Sequence, residues 1–233
     1  MKRLYVYNFS TTVSADQLGK MIRAINSYLV TLCGEWNIAS LSLTAATYNP
    51  RAALVPCIFI FDNTDDDSAL GYHYEVAGVP VGRVFAKTIL NYGGAVLYKN
   101  PTTLTVAQCL AHEALEMLGN GQINKWYTDS NDDFWAAELC DPVQDRLLTV
   151  TIDKTVKVGL SDYVLPAWFS PNTTQGPFNK LNTLRAPFTI DDYGYAIKIV
   201  NGELVAVYGS KATPKTREEA LEKIEKCRFG KSK

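Results

Sequence analysis

The chain lacks any large excess of charge: 23 Lys and Arg stand against 24 Asp and Glu, a formal net charge of −1. A general polyanion binder needs a strongly basic face, so no specific nucleic-acid partner is expected. Long apolar runs are missing too. The longest, 52–61, is interrupted by Pro56 and is too short to span a bilayer, so no membrane association is expected. Met1 to Asn8 carry two charges with no following apolar stretch or small-residue cleavage site. The reading is no signal peptide and synthesis in the cytoplasm. Cysteine is sparse, five scattered residues without a C-x-x-C pair, which disfavours a disulfide framework and favours a reducing compartment. No phosphate loop, dinucleotide fingerprint or G-x-S-x-G elbow occurs, and Gly93-Gly94 reads as a turn.

What is there describes a folded protein. With 47% hydrophobic and only 20% charged residues among 233, wholesale disorder is excluded, and the length allows one large domain or a domain with an annex. Arg3 to Phe9 reads as a strand. Ser14 to Gln17 form a capping box, and Leu18, Met21, Ile22, Ile25, Leu29 and Leu32 follow at helical spacing, so one face packs on a sheet. Leu54 to Phe61 reads as a buried strand, and Gly71 to Leu90 as one or two strands around Ala77 to Pro80. Thr105 to Gln108 form a second capping box, opening a helix expected to end at Leu118 with Gly119 as its cap.

A polar, acidic loop follows over 121–133. After Asp141-Pro142 the chain turns β-rich: Val150 and Ile152, then Val156 and Val158, alternate across Asp153-Lys154. Asn201-Gly202 between two apolar runs signals a type I′ hairpin. A capped, charged helix is expected over 216–227, followed by a basic tail read as a solvated end. The fold class is α+β.

The helix over 106–118 carries the candidate chemistry. At about 100° per residue, Val106, Ala107, Leu110, Ala111, Ala114, Leu115, Met117 and Leu118 form one apolar half. Gln108, Cys109, His112, Glu113 and Glu116 form the other, with His112 and Glu116 one turn apart. This spacing resembles the H-E-x-x-H helix that holds zinc, with glutamate in place of the second histidine. Glu113 then stands in the place of the general base. Gly119 lies where metzincins place a glycine, but Gln122 stands where their third ligand would be, which argues against that branch.

Glu138, twenty-six residues after His112, resembles the later glutamate that completes a gluzincin site, with Asp141 orienting a ligand from behind. The expected set is therefore His112, Glu116 and Glu138 as ligands, Glu113 as base and Asp141 in support. The bland reading of the same residues is an ordinary polar helix face.

His112-Glu113-Ala114-Leu115-Glu116-Met117-Leu118, then Glu138-Leu139-Cys140-Asp141-Pro142-Val143, Val164 to Phe169 and Pro187-Phe188-Thr189, together resemble the pattern of a family with an H-E-x-x-E-M-L helix and an E-x-C-D-P segment. Its members occur in bacterial genomes and among tailed-bacteriophage virion proteins, and the likeness covers roughly 71–196. The resemblance implies a zincin-like domain, a mixed sheet packed on an active-site-type helix, over 1–146. A β-rich extension with a C-terminal helix over 147–233 is expected to pack on it as one unit.

The resemblance further implies a zinc ion, a phage-type virion-associated protein and metallopeptidase-like hydrolysis of a peptide or amide. It leaves open a non-catalytic head or tail component that kept the fold. Partners would be other virion proteins or further copies of the chain, and the aromatic stretch 168–188 would suit such an interface.

Other candidates are weaker. Asp62 to Asp67 and Asp129 to Asp133 look like calcium loops, but Asp67 and Phe134 stand where an EF-hand needs glycine, and neither loop has the twelfth-position glutamate. Cys109 with His112 is the one plausible thiol–imidazole pair, and a structural cysteine is the favoured reading. His73, the only other histidine, sits in a strand-like Tyr72-His73-Tyr74; a distant ligand is conceivable, with a packed or surface histidine favoured.

Overall fold

Alternation organises the first strand. In a computed structural model, which describes residues 2–65, 69–122 and 124–214 with Arg217 and Ala220, β1 (Lys2–Asn8) buries Leu4 and Val6. Tyr5 and Tyr7 therefore leave the opposite face. Ser14 and Gln17 cap α1 (Ala15–Glu35) reciprocally, as expected, and its buried stripe of Leu18, Met21, Ile25, Leu29 and Leu32 packs against β2 (Leu41–Ala45).

β1 pairs in parallel with β2 and with β3 (Cys57–Phe61). The edge is a hairpin of β4 (Gly71–Val76) and β5 (Val79–Phe85), with β5 parallel to β3 and β4 antiparallel to β5. The sheet order is β2-β1-β3-β5-β4. Helices cover the face bearing Leu4 and Val6, whereas Tyr7, Phe9, Tyr48, Phe59 and Phe61 make an aromatic ladder on the other.

The strand expected to continue to Leu90 stops at Phe85, and α2 (Ala86–Asn91) follows. The cause is local. The Asp62 carbonyl accepts from the backbone N–H of Lys87 and Thr88, at 2.8 and 3.1 Å, and turns the chain out of the sheet. An apolar run of this length fits helix or strand equally by pattern.

Next comes α3 (Val106–Asn120), capped by Thr105, whose hydroxyl accepts from Gln108 N–H at 2.8 Å. The second half of the expected capping box is missing, because the Gln108 side chain instead donates to the Gln144 carbonyl. The helix also runs past the expected Leu118 terminus to Asn120.

The 121–133 loop contains a short strand, β6 (Trp126–Thr128), paired with β7 (Phe134–Ala136). β8 (Leu147–Ile152) and β9 (Val156–Ser161) form the hairpin expected across Asp153-Lys154. β10 (Tyr195–Val200) and β11 (Glu203–Tyr208) form the other, with both Asn201 and Gly202 at positive φ as a type I′ turn requires. β10 also pairs with β7, giving a second sheet of order β11-β10-β7-β6.

The architecture is α+β. One cluster of buried side chains runs from Leu4 through α3 to Leu160, Trp168 and Ala196, crossing the 146/147 boundary without a break. Within it Trp168, Phe169 and Phe178 of the 168–188 stretch are buried and pack in the core. The helix expected over 216–227 and the basic tail lie outside the described residues, apart from Arg217 and Ala220. Among the described residues no helix is long and apolar enough to cross a membrane.

Candidate metal centre

α3 is a core helix on both halves. Its apolar half packs as expected, but Gln108, Cys109, Glu113 and Glu116 are buried as well, with β4 and the 138–144 segment against this half. The polar half is therefore not the solvated face that an ordinary amphipathic helix would show. Buried carboxylates are costly unless paired, hydrogen-bonded or bound to a cation.

Two close approaches position them. At Gly71 a Cβ would lie 3.0 Å from Glu113 Oε1, so the bare backbone of β4 leaves the space that Glu113 fills. At Gly119 a Cβ would lie 2.8 Å from Leu139, so the last turn of α3 admits that leucine into contact. Leu139 is held further by its carbonyl, which accepts from Val164 N–H at 2.8 Å. Glu138 and Asp141, its neighbours in the chain, are thereby laid along the helix. Asn120 fixes the same joint: its amide donates to Glu138 Oε1 at 3.1 Å, and its carbonyl oxygen accepts from the backbone N–H of Asn124 and Lys125.

His112 Nε2 lies 3.3 Å from Glu116 Oε1 and 3.3 Å from Asp141 Oδ1. On the other side, His73 Nδ1 lies 3.3 Å from Glu113 Oε2 and 3.5 Å from Glu116 Oε2, and His73 Nε2 lies 3.9 Å from Glu138 Oε2. The structure thus gathers all five expected site residues, with Asp141 beside His112 and Glu138 beside His73. His73, read from sequence as a packed or surface residue, is buried among these carboxylates. The signal that could have found it is the Tyr72-His73-Tyr74 alternation, which sends His73 to the face opposite its two tyrosines.

Most of these separations are long for a charge-assisted hydrogen bond, which runs about 2.7–2.9 Å. They suit donors around an ion. Two ligand atoms about 2.1 Å from a metal and about 110° apart lie roughly 3.4 Å from each other. Among the described residues, His112, Glu116 and Cys140 form one group with ligand atoms within 4.8 Å of one another, and His73, Glu116 and Glu138 form another. The residues fit a divalent cation by donor type, spacing and charge.

Burial by itself would lower the His112 pKa, but the Glu116 charge, then hydrogen bonding to Asp141 and Glu116, hold it well above the ordinary imidazole value. A metal at His112 therefore has to displace a proton. Burial, reinforced by the Glu116 charge, pushes the Cys140 thiol well up, so it is a weaker donor than the carboxylates around it. Of the six imidazole and carboxylate side chains, only His112 has appreciable exposure, at 16%.

The acidic turns are used elsewhere. Asp62 accepts from Ser10, Thr11 and Thr12, and those bonds hold its pKa below the usual carboxylate range. Asp129 accepts from Asn131 N–H, Asp133 N–H and the Trp135 indole. Asp66 and Asp67 lie outside the described residues. Cys33, Cys57, Cys109 and Cys140 are buried. No protein-family model, curated protein or solved structure matches the chain.

Proposed function

We propose that the chain is a phage-type virion-associated protein built on a zincin-like domain, and that the centre on α3 holds a divalent cation, with zinc the first candidate. The observation that carries the metal reading is the burial of four carboxylates, Glu113, Glu116, Glu138 and Asp141, around two imidazoles. Even with both imidazoles protonated, these six side chains hold an excess of two negative charges when the carboxylates are ionised. A divalent cation offsets that excess. The mixed sheet packed on the helix that carries the motif supports the zincin-like reading, and the phage assignment rests on the sequence resemblance.

Burial favours a holding role over turnover. Glu113 is 4% exposed and Glu116 1%, so the centre joins β4, α3 and the 137–143 segment from inside. In this role the protein is a head or tail component whose partners are virion proteins or further copies of itself.

The second reading, a metal-dependent peptide or amide hydrolase, is favoured by the partial exposure of the His112 side chain and by Glu113 lying next to the ligand groups. A bound zinc ion would supply Lewis acidity there. Glu113 would take the proton from water, and His73, 3.3 Å from it, would orient its carboxylate.

The test is to purify the full chain without chelators, load it with Zn²⁺, and assay zinc retention together with peptidase and amidase activity. Retention without turnover supports the holding role. Turnover that Glu113→Gln abolishes supports the hydrolase. Failure to retain zinc contradicts both.

A further inference from the structure

The metal reading leaves one arrangement unexplained by a single ion: the two oxygens of Glu116 face different imidazoles. Oε1 is 3.3 Å from His112 Nε2, and Oε2 is 3.5 Å from His73 Nδ1. Each histidine has its own further carboxylates, Asp141 for His112, and Glu113 and Glu138 for His73. The groups whose ligand atoms lie within 4.8 Å of one another, His112 with Glu116 and Cys140 and His73 with Glu116 and Glu138, share only Glu116, and neither contains both histidines.

We propose that the centre binds two divalent cations bridged by the Glu116 carboxylate, one at His112 with Asp141 and one at His73 with Glu138, while Glu113 lies beside the second at His73 Nδ1. This rests on the metal-binding reading above and extends it from one ion to two.

Charge points the same way. An imidazole must be neutral to ligate, so four ionised carboxylates carry four negative charges with nothing from the histidines to offset them. One divalent cation leaves a net negative charge in a buried site, even with the histidine that does not ligate protonated; two cations neutralise it. Four carboxylates and two imidazoles are also the donor count of carboxylate-bridged two-metal centres in helical bundles. A carboxylate bridge places ions about 3.5–4 Å apart. The donor set, rich in carboxylate with imidazole on each side, admits Mn²⁺ and Fe²⁺ as readily as Zn²⁺.

The test uses the full chain and Mn²⁺ as the probe, by equilibrium dialysis followed by electron paramagnetic resonance on the retained metal. The expected result is two Mn²⁺ per chain with a spin-coupled spectrum, falling to one per chain with an isolated six-line spectrum in both His73→Ala and His112→Ala. One Mn²⁺ per wild-type chain overturns the bridged pair and leaves the metal-binding reading standing. Two ions with no coupling also overturn it, since the sites would then be apart. No retained Mn²⁺ or Zn²⁺ overturns both readings. Should either variant fail to fold, the wild-type count and spectrum decide alone.

Discussion

Glu116 Oε1 lies 3.3 Å from His112 Nε2, one helical turn earlier in the chain, while its Oε2 lies 3.5 Å from His73 Nδ1 on the edge hairpin. One buried carboxylate therefore joins a contact fixed by helix geometry to one that only the tertiary fold creates.

Glu116→Gln should uncouple metal binding from folding. Removing the Glu116 charge relieves repulsion among four clustered carboxylates but also takes a partner from protonated His112, so the zinc-dependent gain, and not the ion-free stability, is the readout. Zinc at 100 times its dissociation constant stabilises by about 2.7 kcal/mol, which for a chain of this size raises the melting temperature by about 5–10 °C. Thermal unfolding with and without Zn²⁺ should show that rise in wild type and little or none in Glu116→Gln.

Gly119→Val should damage the site from outside it. The last turn of α3 approaches Leu139 so closely that even a Cβ would lie 2.8 Å from that side chain. A branched side chain would push the 138–141 segment away, at about 1–3 kcal/mol for overpacking. Urea unfolding should show that loss, and Zn²⁺ titration should show weaker binding, because Glu138 and Asp141 move with Leu139.

Away from the centre, Asp162 predicts a pH dependence. Burial raises its pKa to about 6, against the opposing bonds from Asn179, Tyr163 and Leu181. Between the ordinary carboxylate value near 4 and about 6, the folded state holds a proton that the unfolded state has lost. Stability from this group is therefore full below about pH 4 and falls as pH rises through about 6, by about 3 kcal/mol in total. Chemical denaturation from pH 4 to 7 should show this fall in wild type, and Asp162→Asn should flatten it.

The helix and its polar residues were legible because their relationship is periodic: His112, Glu113 and Glu116 fall on one half of α3 whatever surrounds it. Burial of that half was not legible, since it depends on β4 and the 138–144 segment closing over it. Glu138 and Asp141 were readable as candidates, but their division between two histidines follows from the Leu139–Gly119 contact. His73 was hidden for the same reason. It lies 40 residues before Glu113, and the hairpin pairing with β5 brings the two together. Both hairpins with strong turn signals were readable from local sequence. α2 was not, because the Asp62 carbonyl that starts it comes from another part of the chain.

The most direct test of the central claim is elemental analysis of the full chain purified without chelators and dialysed against Zn²⁺, in wild type and in Glu116→Gln. The account predicts at least one stoichiometric ion per wild-type chain and its loss in the variant. No retained ion in the folded wild-type protein would contradict it, and His112 and Glu116 would then be a buried polar pair with no metal to hold.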